Sequence, residues 1–298
     1  MKKANSLKAF VVFLSCSAVA VMGCSTDGCE PKAKYERIVK LSAPMLAGSI
    51  FEAQTQNGHI DITGSDVTEC SLTATITGWA DTEENAKLLA EAVEIKLVPS
   101  GSNLTAKIEK PRLTPYQRIG VSLDVIVPGK TGTDVATHNG ALIIKNLTGQ
   151  IKGATHNGKI IAEKISGTTE LETHNGGVTC KEVVGNTQLQ THNGSITCED
   201  ASGDINLRTH NGSAKAFYSA SAPPVCNVSM VSHNGGVSLT APPNLSATVE
   251  ASTHNGSINT DLPITVTGEV TRKKLTGTIG KGEGKLYLET HNGSISIK

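Results

Sequence analysis

Between Thr137 and Gly212 the apolar residues return every 18 positions, in step with a tetrapeptide, Thr-His-Asn-Gly, that occurs five times. Its histidines are His138, His156, His174, His192 and His210, and copies at looser spacing surround His233, His254 and His291. Counting from the Thr, position 6 is apolar (Leu142, Ile160, Val178, Ile196) and position 8 is small or apolar (Ile144, Ala162, Cys180, Cys198). Position 11 is mostly apolar, position 17 holds Leu171, Leu189 and Leu207, and Gly fills positions 4 and 13. Each unit therefore contains two short alternating segments separated by two Gly-containing corners. Carrying the alternation on from position 17 turns the Thr inward, the His outward and the Asn inward.

Two architectures fit this pattern. Asn-Gly is a favoured hairpin turn, which would give an antiparallel meander. Alternatively each 18-residue unit is one coil of a flattened solenoid with its glycines at the corners. A long single sheet leaves one face of every strand unpacked, whereas a solenoid stacks like on like at ~4.7–4.9 Å, so that Thr and Asn form hydrogen-bonded ladders. The solenoid is the favoured reading: an all-β, single-chain β-solenoid, similar to a parallel β-helix, with 18-residue coils and one α-helix near the N-terminus.

Upstream, Ile50, Ile60 and Ile62 flank a degenerate Gln56-Asn57-Gly58 turn, and Leu72, Ala74 and Ile76 alternate as a strand. The spacing of Ala86, Leu89, Ala90 and Val93 predicts a helix over 81–96, opened by a capping box of Asp81 and Glu84. Its end runs towards a strand, since Val93, Ile95 and Leu97 alternate. Downstream of Gly212 the spacing between histidines loosens to 23, 21 and then 37 residues, with Pro223-Pro224 and Pro242-Pro243 between copies. These inserts read as longer corner loops on the same stack.

The N-terminus is an address. Lys2, Lys3 and Lys8 precede an apolar run from Ala9 to Val21, too short to span a bilayer as a helix. The run ends Val21-Met22-Gly23-Cys24, which resembles the lipobox of bacterial lipoproteins. That resemblance implies cleavage after residue 23 and acylation of Cys24, with palmitate among the chains, and two or more acyl chains anchor stably. Ser25 follows the Cys where an Asp would imply inner-membrane retention, so the expected location is the cell envelope, at the outer membrane if the host is Gram-negative. The domain plan is then a signal at 1–23, a tether at 24–40, an N-terminal β-rich part at 41–130 and the repeat solenoid at 131–298.

Composition narrows the function. With 27 basic and 27 acidic side chains the formal net charge is zero, which gives no footprint for nucleic acid. Carboxylates form no recurrent pair of the kind a solenoid glycosidase needs, and no serine elbow, phosphate loop or His-Glu-x-x-His is present. Aromatic platforms for sugar are few, Trp79, Phe217 and Tyr287 being far apart in the chain. A non-enzymatic display or interaction protein is therefore expected, held to the membrane by its lipid, with a protein or glycan partner that the sequence does not name.

One candidate chemical feature remains. If the coils stack, His138, His156, His174, His192 and His210 form an outward file, and neighbouring imidazoles sharing Zn²⁺ or Cu²⁺, with Glu172 and Gln190 nearby, make metal binding the alternative function. Imidazoles also titrate near neutrality, and charging one disfavours charging its neighbours, so pH sensing belongs to the same alternative. The bland reading is that the rings stack and shield the ladder, with no cofactor. Cys180 and Cys198 share position 8 of consecutive coils, which places them within reach of a disulfide or leaves them as stacked inward thiols.

Taken together, an early strand pair with an Asn-Gly turn, the capped helix from Asp81, the strand end at Val127-Pro128 and the serial Thr-x-Asn-Gly units resemble a bacterial adhesin-like family of β-strand-repeat cell-envelope proteins. The resemblance covers about residues 35–298 and implies a β-helical domain in the envelope, with adhesion or envelope-stress sensing as its role. This chain places His where Ser is commonest in that family.

Overall fold

In the computed structural model, residues 12–13, 32–266 and 271–298 are described, and they fall into two compact units that divide between Gly140 and Ala141. The signal, Cys24 and the first part of the tether lie outside the described residues, Val12 and Phe13 apart.

In the first unit, strand Glu69–Ala80 is bonded antiparallel to Ala33–Pro44 on one side and to Arg118–Pro128 on the other. Arg118–Pro128 pairs in parallel with Ile60–Ser65. Ile50–Asn57 pairs in parallel with both Asn103–Glu109 and Gly132–Asn139, so the degenerate Asn57-Gly58 already forms a coil corner. Asn57 lies opposite Asn139, whose Nδ2 donates to Asn57 Oδ1 at 2.7 Å.

The helix occupies Glu83–Glu91, beginning later and ending sooner than its apolar spacing predicts. Thr82 is the N-cap, its hydroxyl accepting from Asn85 N at 3.2 Å, while Asp81 Oδ1 accepts from Thr82 N and Asn85 Nδ2. The expected capping box of Asp81 and Glu84 is thus replaced by a cap shifted one residue on. Ala86, Leu89 and Ala90 are buried as predicted, and Ala86 O sits 2.3 Å from where a Cβ on Gly78 would be. Ile95 and Leu97 belong instead to strand Glu94–Ser100, because pairing with Asn103–Glu109 satisfies backbone groups that another helical turn would occupy. The helix has no basic residue in its last turn; Arg37 supplies the C-terminal donors, bonding Ala90 O, Glu91 O and Val93 O at 3.1–3.2 Å.

The second unit is a parallel solenoid, as the period demands. Leu142, Ile160, Val178, Ile196 and Ala214 are successive Cα partners, one per coil, and all five are buried. Leu171, Leu189 and Leu207 form a second buried column. Each regular coil has a corner that the glycine pattern does not reveal. Besides the turn at position 4 and the positive-φ glycines at position 13, position 10 is left-handed in every regular coil, at Asn146, Lys164, Glu182 and Asp200, with φ between 51° and 57°. Only Asn and Asp favour that conformation among these residues, so the sequence signal is diluted by Lys and Glu.

Beyond Gly212 the strands stack out of sequence order. Asn227–Asn234 pairs in parallel with Gly284–Asn292, which pairs in turn with Ala247–Asn255. The C-terminal coil is therefore inserted between two earlier ones. Strand Lys274–Ile279 runs antiparallel along the outer edge of Ala247–Asn255 and also bonds Thr265–Val266. The chain following Ile258–Thr260 is thus an edge cover, where the sequence suggested one more corner loop. It hides backbone groups that would otherwise template further pairing.

Candidate functional site

The site grows out of the Thr-His-Asn-Gly corner. The Thr is inward, and its hydroxyl donates to the Gly carbonyl of the preceding coil: Thr173 to Gly158, Thr191 to Gly176 and Thr209 to Gly194, at 2.8–2.9 Å. The looser copies keep the same bond, from Ser232 to Gly212, Thr290 to Gly235 and Thr253 to Gly293. The Asn residues build the expected amide ladder, Nδ2 of Asn175, Asn193 and Asn211 each donating at 2.8 Å to Oδ1 of the Asn one coil before. They do so from exposed positions, whereas strict alternation placed them inward. The reason is the turn. Thr and Asn both find Cα partners while the His between them does not, so the regular pairing breaks at the His and the alternation slips there, although each strand runs on to the Asn.

That break in the pairing leaves the imidazoles outward and face to face. His156, His174, His192 and His210 stack with centroids 4.7–4.8 Å apart and interplanar angles of 3–9°. The file continues through His233 and His291 to His254, at 4.7–4.9 Å. Four of the histidines singled out from the exact repeat, those of the second unit, meet in one column. His138 occupies the corresponding turn of the first unit. The column gains three members from the looser copies, in an order set by strand insertion. In the first unit, His59 Nε2 lies 3.3 Å from Asp124 Oδ1.

The column has definite chemical limits. Two nitrogens sharing one Zn²⁺ or Cu²⁺ at ~2.0–2.1 Å are at most ~4.2 Å apart. Rings stacked at 4.7–4.8 Å and nearly parallel hold their lone pairs side by side, so a shared metal requires them to leave the stack. Among the described residues no group of three or more His, Cys, Asp or Glu side chains is arranged to hold a metal ion. What the column offers as it stands is a periodic aromatic edge. An open groove of about 500 Å³ runs beside it, lined by the rings together with Glu172, Gln190, Arg208, Val231 and Glu289 and with Thr191, Thr209 and Ser232. Glu172 and Gln190 are thus on the outer face where the period places them.

Cys180 and Cys198 are Cα partners in adjacent coils, buried, and both are free thiols. Burial pushes the Cys198 thiol up to about 12 and Cys180 well above its ordinary value, so both are held neutral. No helix among the described residues is long and apolar enough to cross a membrane.

No protein-family model and no curated protein matches the chain. Two solved structures do. One is a proposed cell adhesion protein from Clostridium sporogenes, 13% identical, with 89% of this chain and 99% of that one covered at a TM-score of 0.28. The other is a proposed adhesin from Bacteroides fragilis, 12% identical, with 91% and 100% covered at a TM-score of 0.33.

Proposed function

We propose that this chain is a non-enzymatic display module of the bacterial envelope, anchored by lipid on Cys24 and presenting its solenoid for attachment. The observation that carries this reading is the in-register stack: one outward side chain per coil, repeated at 4.7–4.9 Å along an exposed file that no backbone bond requires. Fixed periodic side chains on a rigid parallel sheet lose little entropy when a partner lands on them, which favours binding. Most positions facing outward are polar or charged, Val184 and Phe217 being exceptions, and the positions facing inward are mainly apolar or hydroxylated, so variation outside costs the fold little.

The test is made in cells expressing the full chain or its Cys24→Ser variant. The native chain should take up labelled palmitate, fractionate with the envelope and raise attachment of the cells to a host-derived matrix. The variant should lose label, envelope retention and attachment together. A native chain that stays soluble and unlabelled, or labelled cells that attach no better than cells lacking the gene, would overturn the proposal.

A further inference from the structure

Parallel register brings Asn206, Ser229 and Tyr287 into one row across three strands, with Arg208, Val231 and Glu289 in the next. Tyr287 lies 58 residues beyond Ser229, and only the out-of-order insertion of Gly284–Asn292 makes them neighbours. The middle strand contributes the short side chain, Ser229, between longer ones about two strand spacings, ~9.6 Å, apart. The result is an open groove of about 560 Å³, the size of a small-ligand site.

Its charges are unevenly committed. Asp204 spends both carboxylate oxygens on Asn227, accepting from the backbone N at 2.8 Å and from Nδ2 at 3.1 Å. Glu289 accepts the Tyr287 hydroxyl at 2.5 Å, which fixes that phenol and pushes it up to about 12. Arg208 and Lys285 line the groove, both exposed, and neither forms a salt bridge among the described residues. Asn206 lines it too, and its Oδ1 is covered and without a hydrogen-bond partner. Polar groups left so in a folded chain call for a reason.

The geometry points to a binding site for a carboxylate-bearing saccharide, a uronic or sialic acid, in the groove between Arg208 and Tyr287. This deepens the display reading and rests on it. A guanidinium fork meets a carboxylate with two parallel hydrogen bonds, and Lys285 adds a second cation. A tyrosine ring receives the C–H face of a sugar. An extended acidic peptide has no strand edge to join here, since Asn227–Asn234 is hydrogen-bonded on both sides.

The test is saturation-transfer NMR and calorimetry on the full chain in detergent micelles. The probes are trigalacturonate, sialyllactose, neutral lactose and a hexaglutamate peptide. Trigalacturonate or sialyllactose should bind and lactose should not. Arg208→Gln and Tyr287→Ala should each weaken that binding by about tenfold or more, the size of one charge-assisted or aromatic anchor. Lys285→Gln, at an exposed position where the fold is not at stake, should weaken it by a few-fold, and His156→Ser should leave it nearly unchanged. Equal binding of lactose, binding of hexaglutamate alone, or native-like affinity in folded Arg208→Gln would overturn the inference. Cells that attach through the chain while it ignores both acidic sugars remove this site and leave the display module standing. A chain that binds trigalacturonate without promoting attachment does the reverse.

Discussion

A single carbonyl explains why the corner is written Thr-x-Asn-Gly. Gly176 O accepts the Thr191 hydroxyl at 2.8 Å, and it lies 2.0 Å from where a Cβ on Gly194 would stand. The coil above must therefore offer a hydroxyl from one side and bare backbone from the other. The adjacent position 5 has no such limit: Gly177 is replaced in sister coils by Ala141, Lys159, Ser195 and Ser213. Gly194→Ala is expected to cost roughly 2–4 kcal/mol in urea denaturation, because backbone on two coils must shift. Gly177→Ser is expected to stay within about 0.5 kcal/mol of wild type, the range of an ordinary surface change. Equal losses from the two would show that the close approach is not what selects glycine. The histidine between them has no part in this bonding, so its repetition is free to serve the outer surface.

At the scale of the element, the helix and the third corner show two ways in which local reading falls short. The buried stripe of Ala86, Leu89 and Ala90 was legible, since 3.6-residue spacing survives without tertiary help. The cap was not, because Asp81, Thr82 and Glu84 all suit a helix start and only the strand leading in decides which hydroxyl faces Asn85 N. Thr82→Ala should lower stability by about 1 kcal/mol, and Glu84→Gln by far less, in paired thermal melts. A larger effect at Glu84 would restore the capping box that the sequence suggests. The left-handed turn at position 10 is hidden in the sequence for a different reason. Lys164 and Glu182 adopt it under the pull of stacked strands on both sides, against their own preference.

For the molecule as a whole, the order of the last coils matters more than their sequence. Removing residues 284–298 takes a strand from between Asn227–Asn234 and Ala247–Asn255, not from the end of the stack. Hydrogen exchange should then accelerate in both flanking strands, and Ala247–Asn255 should keep only its antiparallel partner Lys274–Ile279. If the truncated chain kept full protection over residues 247–255, the insertion would be wrong. The same insertion sets His291 between His233 and His254 and carries Tyr287 to the groove that holds Arg208.

The amino-acid sequence alone determined the 18-residue coil, its inward Thr and apolar columns, its outward imidazoles and the meeting of Cys180 with Cys198. All of these follow from repetition at fixed spacing, which parallel stacking converts into contact between like residues. Only the tertiary structure decided which coil lies on which after Gly212, that the Asn faces outward, and what closes the outer edge at Ala247–Asn255. The physical reason is degeneracy. Every copy carries the same Asn-Gly corner and the same hydroxyl, so any copy completes the ladder on any other. The choice among them falls to the connecting chain and to the need to cover the last edge.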